Sequence, residues 1–174
     1  MRRDAGIQIE EAVCADAEEI LTLQRRAYQS EAAIYDDYSL PPLQETLEEI
    51  RDRFRDHLFL KAVAGGGAVT ESGAGVEGRI VGSVRAREGN GVCHVARLIV
   101  DPQIQNQGLG TRLLLEVEAR FPGARRFELF TGHKSERNLY LYRKLGYRVW
   151  KTEFVHERLD LVYLAKARPT QGAA

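Results

Sequence analysis

Apolar and polar positions alternate from Ile7 to Val13, and that period of two predicts a strand. The period then lengthens. Ile20, Leu23 and Ala27 share a helical face, and Asp16 with Glu19 has the form of a capping box, so a helix is expected from there to Ser30. Glu31 to Pro42, closed by Pro41-Pro42, reads as a loop or broken helix. Thr46 with Glu49 is a second capping-box pattern, opening a helix toward Asp56. Leu58 to Ala64 and Arg79 to Glu88 read as strands. Between them, Gly65 to Gly78 is rich in glycine and small residues and suits a flexible hairpin loop. Gly89-Asn90-Gly91 is a tight turn into a strand from Val92 to Val100. Leu109, Leu113, Val117 and Phe121 mark a helix face that Pro122-Gly123 stops. Arg125 to Thr131 is a strand, and Ser135 to Leu145 a helix with Gly146 as its left-handed cap. Tyr147 to His156 and Leu159 to Lys166 are the last strands, before a tail from Arg168 expected to fray.

Strands joined by short turns pair antiparallel, whereas the two strand–helix–strand steps near the centre call for parallel pairing. The expected fold is α/β of the α+β type: a mixed, mostly antiparallel central sheet of about seven strands flanked by about four helices. A length of 174 residues fits one domain spanning 1–174, with its core over 7–167.

Composition narrows the function classes. The formal net charge is zero, so nothing global points to nucleic acid or an anionic membrane. Locally the balance is uneven: Ala27 to Ile50 holds six acids and no Lys or Arg, and Ala124 to Arg148 holds seven Lys or Arg and two acids. Cys14 and Cys93 lie in apolar runs without metal-type spacing, and His57, His133 and His156 are isolated, so no metal is expected. The first six residues lack an apolar core behind their charge and do not read as a signal peptide, and no run reaches membrane-spanning length. A reduced, cytoplasmic protein is expected, as a monomer or homodimer.

The densest chemical signal is Leu98-Ile99-Val100-Asp101-Pro102, then Gln105-Asn106-Gln107-Gly108-Leu109-Gly110-Thr111 and a helix. An apolar strand, a glycine-pinched turn and a helix N-terminus leave backbone N–H groups pointing outward, where the helix dipole also favours an anion. Glycines at 108 and 110 let a phosphorylated ligand approach the main chain. A dinucleotide fingerprint lacks its third glycine, because position 113 is Leu, and no Gly-Lys-Ser/Thr follows to make a P-loop.

Gln105-x-x-Gly108-x-Gly110 after Val100-Asp101-Pro102, opening the Leu113-Leu114-Leu115 helix, resembles motif A of the GNAT N-acetyltransferase superfamily. Further on, Asn138-Leu139-Tyr140-Leu141-Tyr142-Arg143-Lys144-Leu145-Gly146-Tyr147 is similar to that superfamily's motif B. The element order agrees with that fold from Ile7 to Lys166. The resemblance implies acetyl-CoA as co-substrate. The strand of Leu98, Ile99 and Val100 would splay from its parallel neighbour and bond the pantetheine arm, and N–H groups from Gln105 through Thr111 would cradle the pyrophosphate. Tyr142 would be the general acid toward the departing thiolate, a role that suits a phenol. Seven residues before Tyr142, where the family often has Asn, stands Ser135, which also reads as an N-cap; Asn138, one helical turn before Tyr142, is the other candidate for the cofactor contact. Arg112, Lys134, Arg137 and Arg143 are candidates for the phosphates.

The resemblance also implies a base for the amine. In the histone-type branch a Glu stands six residues before the Val matching Val100; here that residue is His94, which titrates near neutrality. Strand alternation puts His94 with Ala96, Leu98 and Val100. At the other family position stands Phe130, with Glu128 two residues away, and a water relay needs no named residue. The acceptor cleft would map to Ala27 through Pro42, where Tyr28, Glu31, Tyr35 and Asp36, with Asp37 and Tyr38, suit a cationic amine on a small molecule or peptide. The expected activity is N-acetyl transfer from acetyl-CoA to a primary amine by direct attack in a ternary complex. A non-catalytic acyl-CoA-binding regulatory module is the alternative, and a nucleotide-binding oxidoreductase a more distant one.

Overall fold

The computed structural model describes residues 6–65 and 78–168. The expectations for the extreme N-terminus, for most of the Gly65–Gly78 loop and for the tail beyond Arg168 fall outside them. The seven strands are β1 (Gln8–Glu11), β2 (Leu58–Ala64), β3 (Arg79–Gly89), β4 (Val92–Val100), β5 (Arg126–Gly132), β6 (Arg148–His156) and β7 (Leu159–Ala167). They form one mixed sheet in the order β1-β2-β3-β4-β5-β7-β6. Every pairing is antiparallel except β4 with β5.

That parallel pairing is short. It runs from Val92 opposite Arg126 to His94 opposite Glu128 and then stops, although β4 continues to Val100 and β5 to Gly132. The two strands diverge toward their C-terminal ends and leave a wedge in the sheet. Helices α1 (Ala17–Ala27), α2 (Gln29–Tyr35), α3 (Pro41–Gln44) and α4 (Leu47–Arg53) precede β2, α5 (Leu109–Arg120) follows β4, and α6 (Glu136–Lys144) follows β5. The larger core joins Leu113, Leu114 and Val117 of α5 and Leu139 and Tyr142 of α6 to Leu60, Val84, Phe127 and Leu164 of the sheet. A second joins Ile20, Leu21 and Leu23 of α1 and Ile50 of α4 to Phe59, Ile80 and Ile99. Among the described residues no helix is long and apolar enough to cross a membrane.

Of three local expectations, one changes and two hold. Asp16 does not cap α1: its carboxylate accepts the Val13 N–H at 2.8 Å and holds Lys61 at 2.9 Å, while Glu19 accepts the Ile80 N–H at 2.7 Å. Both acids therefore tie the start of α1 to the sheet. The segment from Glu31 to Pro42, expected as loop or broken helix, contributes to α2 and α3, because Ala32 and Tyr35 lie one turn apart and are buried with Leu40 and Leu159. The Thr46–Glu49 box forms in full: the Thr46 N–H reaches Glu49 Oε2 at 2.7 Å and the Glu49 N–H reaches Thr46 Oγ1 at 3.2 Å.

Candidate functional site

Gly108 takes φ 86°, a left-handed conformation that turns the chain directly into α5, and no side chain caps that helix start. The first N–H groups of α5 are thereby left for a ligand. A Cβ on Gly108 would meet nothing within 4 Å, so the space above the turn is open. Facing it is a cleft of about 290 Å³ between the α5 turn and α6. Gln105, Asn106, Gly108, Leu109, Gly110 and Thr111 form one wall, and Arg137, Asn138 and Lys144 stand across. Leu98 and Val100 border it too, whereas Gln107 does not. Gln105 Nε2 donates to the Val100 carbonyl at 3.1 Å, and Arg137 donates to Gln105 Oε1. Ile99 is buried against α1 and borders only a narrow passage of about 40 Å³. Of the other expected phosphate partners, Arg112 is turned to the Ile7 carbonyl at 2.9 Å, and Lys134 and Arg143 do not line the cleft.

Beyond the passage, on the α2–α3 side, lies a second cavity of about 280 Å³. Leu98 and Asn138 border both spaces, and Tyr142 sits in the wall of the second. Tyr142 is 5% exposed, and burial pushes its phenol far above the ordinary range, so it keeps its proton. Asn138 Nδ2 donates to Thr131 Oγ1 at 3.2 Å, which fixes the amide between the two spaces. Ser135 is 2% exposed, lines neither space and makes no capping bond; its hydroxyl donates to the Glu31 carboxylate. Of the two candidates near the start of α6, Asn138 is the one at the cleft.

Glu31, Tyr28 and Tyr35 line the second cavity as expected. The Tyr35 hydroxyl accepts the Lys134 N–H at 2.9 Å. A Cβ at Gly132 would stand 2.2 Å from that hydroxyl, so only glycine fits beside it. Burial raises the Tyr28 phenol, and the neighbouring Arg97 pulls it back. Asp36 lies outside: its side chain is 80% exposed and pairs with Arg158 at 2.8 Å. Asp37 accepts from Ser39 and pairs with His156 at 3.0 Å.

His94 is also elsewhere. It sits at the closed end of the wedge, exposed, 3.8 Å from Glu128, and neither residue lines the cavities. The expected shared face with Leu98 and Val100 is lost at a bulge. Arg85 pairs with Ala96 but Ser83 with Ile99, so β4 holds one extra residue there, and Arg97 takes φ 54°. Before the bulge Cys93 and Val95 face the larger core; after it Leu98 and Val100 do, with Ile99 on the opposite face.

Sequence reasoning missed the wall beneath Arg97. Glu45, 8% exposed, accepts Arg85 Nη1 at 2.8 Å, Gln24 Nε2 at 2.8 Å and Arg97 Nε at 3.4 Å. No spacing announces this cluster, because its members come from α1, the α3–α4 link, β3 and β4.

Residues 19–147 match the family model described as Acetyltransferase (GNAT) family. No curated protein matches the sequence. The ribosomal-protein-S18-alanine N-acetyltransferase from Escherichia coli aligns with a TM-score of 0.71 at 17% identity, over 95% of this chain and 96% of that one. PaiA N-acetyltransferase from Thermoplasma acidophilum, in complex with coenzyme A, gives 0.68 at 18% identity over 91% and 98%. Arabidopsis thaliana NAA60, in complex with a bisubstrate analogue, gives 0.68 at 13% over 92% and 97%. At such identities the structures speak for the fold alone, whereas the family match covers most of the sequence and includes both the glycine turn and the Tyr142 helix. The chain is a member of the GNAT family of acetyltransferases.

Proposed function

We propose that this chain is an N-acetyltransferase that moves an acetyl group from acetyl-CoA, the donor its family uses, to a primary amine by direct attack in a ternary complex. One observation carries the reading: an anion-ready cleft and a small acceptor cavity meet at Leu98 and Asn138, with Tyr142 in the cavity wall beside them. The cleft suits the donor chemically. Helix N–H groups at an uncapped, glycine-opened turn, with Arg137 and Lys144 opposite, complement a pyrophosphate. The β4 main chain, without a β5 partner beyond His94, offers hydrogen bonds to an amide-bearing arm.

Acetyl-CoA supplies an activated acyl carbon and a sulfur leaving group. The residues of the chain supply the rest. Asn138 and Leu98 frame the place where the two substrates meet. Burial keeps Tyr142 protonated until negative charge builds on the departing sulfur, and it then serves as the acid toward that sulfur. Glu31, held by Ser135, is the carboxylate of the acceptor cavity and receives the ammonium, and its proton directly or through water. This gives Glu31 the part that position alone suggested for His94. The unpaired Cys14 and Cys93 support placing the enzyme in the reducing cytoplasm.

Thiol release from acetyl-CoA across a panel of amino acids, simple amines, polyamines and peptides tests the reading. Tyr142→Phe should lower kcat by about 10²-fold or more while leaving acetyl-CoA affinity nearly intact. Binding of acetyl-CoA without turnover of any amine would replace the enzyme with an acyl-CoA-binding module.

A further inference from the structure

The acceptor cavity has two kinds of wall. Leu40, Val155, Leu159 and Leu161 make an apolar one. Tyr28, Glu31 and Arg97 make a polar one, and the buried Tyr28 phenol feels the charge of both Glu31 and Arg97. Glu31 is negative and Arg97 positive, so the polar wall presents both signs beside one hydroxyl.

The positive side is in surplus. Glu45 is one carboxylate shared by two guanidiniums, and both of its oxygens are already taken by Arg85, Gln24 and Arg97. Arg53 adds positive charge near Arg85, and Glu49, which faces both Arg53 and Glu45, offsets it, leaving one surplus cation. Arg97 commits Nε to Glu45 and lies within reach of the Tyr28 hydroxyl, and both Arg97 and Tyr28 line the cavity. An Arg oriented through Nε with its outer edge on the cavity is a fork for a carboxylate. The bulge supports the same reading. Left-handed backbone at a non-glycine residue inside a strand is strained, and here it places Arg97 in the cavity wall instead of in strict strand alternation.

We infer that the acceptor is a free α-amino acid with an apolar side chain, its amine on Glu31, its carboxylate on Arg97 and its side chain against the apolar wall. The inference rests on the acetyltransferase reading and names its substrate class. Charge balances in such a complex: a zwitterion meets one acid and one surplus cation. A cavity of about 280 Å³ also lies just below the roughly 300–1,000 Å³ range of ligand sites, which suits an acceptor of single amino acid size. A polyamine would set additional positive charge against Arg97 and Arg85. In the reaction the bound ammonium first gives one proton to solvent by way of Glu31; the neutral amine nitrogen then bonds the acyl carbon as the carbon–sulfur bond breaks, a second N–H proton passes to Glu31, and the thiolate takes the Tyr142 proton, which solvent replaces.

The test is steady-state thiol release with matched pairs that differ only in the carboxylate: L-leucine against 3-methylbutylamine, and L-phenylalanine against 2-phenylethylamine, with spermidine and an alanine-initiated peptide alongside. The wild-type enzyme should favour the amino acid of at least one pair by about 10²-fold or more in kcat/KM, as expected when a buried charge partner is lost. Arg97→Gln should raise KM for the amino acid and collapse that ratio toward one. Equal rates within each pair, preference for the decarboxylated amine, or an Arg97→Gln effect of equal size on both members overturns the inference, and the wild-type comparison decides even if the variant does not fold. Turnover of the simple amines, spermidine or the peptide alone removes the amino acid acceptor and keeps the enzyme. No turnover together with no acetyl-CoA binding by calorimetry removes both.

Discussion

The cofactor cleft and the acceptor cavity lie side by side in the same wedge, yet they are built in opposite ways. The cleft is assembled from two segments, the strand–turn–helix stretch from Leu98 to Thr111 and the single helix from Arg137 to Lys144. The acceptor cavity draws on more of the chain: α2, the segment around Pro41, β4 through its bulge, the end of β5, α6 and the β6–β7 pair. Local backbone geometry makes the first site, since a helix start and a positive φ are properties of a few consecutive residues. Burial and long-range pairing make the second. One half can therefore be altered by changing a turn, the other only by disturbing a network.

The largest expected effect is on the acceptor half. Glu45→Ala would leave Arg85 and Arg97 facing each other without their carboxylate, and removing one partner of a buried ion pair costs about 3–5 kcal/mol. The urea midpoint should fall accordingly. The pH dependence carries a second signature. Burial opposes ionisation of Glu45, but Gln24, Arg85 and Arg97 outweigh it and hold the carboxyl below its ordinary value of 4.5. The unfolded chain then binds the proton more readily. The stabilisation is full above the ordinary value and fades as pH falls through the native one, so Glu45→Ala should also flatten the acid limb of the stability profile. A wild-type midpoint in the variant would mean the cluster does not hold the cavity wall.

On the cofactor half the effect is smaller and confined to the turn. Gly108→Ala meets no neighbouring atom but must hold a left-handed φ, at about 1–2 kcal/mol. If the turn relaxes, its N–H groups swing away from the cleft. The expected outcome is a few degrees lost in Tm and acetyl-CoA Kd raised about tenfold, equivalent to about 1.4 kcal/mol, with acceptor KM nearly unchanged. An unchanged Kd by calorimetry would take the pyrophosphate away from this turn.

The same contrast explains what could be read before any coordinates. The strands, the mixed sheet, the Thr46 cap and the turn at Gly108 are visible in the sequence, because periodicity, capping and glycine spacing are local, whereas Tyr142, with Asn138 or Ser135, comes from the resemblance to motif B. Asp16 and Glu19 satisfy the capping-box pattern yet bond Lys61 and Ile80, partners that no spacing identifies. Strict alternation assigns His94 the face of Leu98 and Val100, and one inserted residue at Arg97 reverses the alternation for everything that follows. Ser135 occupies an N-cap position but donates to Glu31 on a helix far away in sequence. Composition likewise gives the acids from Glu31 to Asp37 one identity, whereas the fold turns Glu31 inward and Asp36 outward.

That last division yields the smallest expected effect. By composition alone, replacing Asp36 and Asp37 with Asn should weaken a cationic acceptor. In the fold, Asp36 pairs with Arg158 in solvent and Asp37 with Ser39 and His156, on the outer side of the α2–α3 link. Neither acid lines the acceptor cavity. The double variant Asp36→Asn, Asp37→Asn should therefore change acceptor KM by less than about twofold with any amine that is turned over, spermidine included. A large rise in KM for spermidine alone would place these acids in the path of a cationic substrate. It would also return the acceptor half to the composition-based reading, with Glu31 as one acid of a patch instead of the anchor of a cavity.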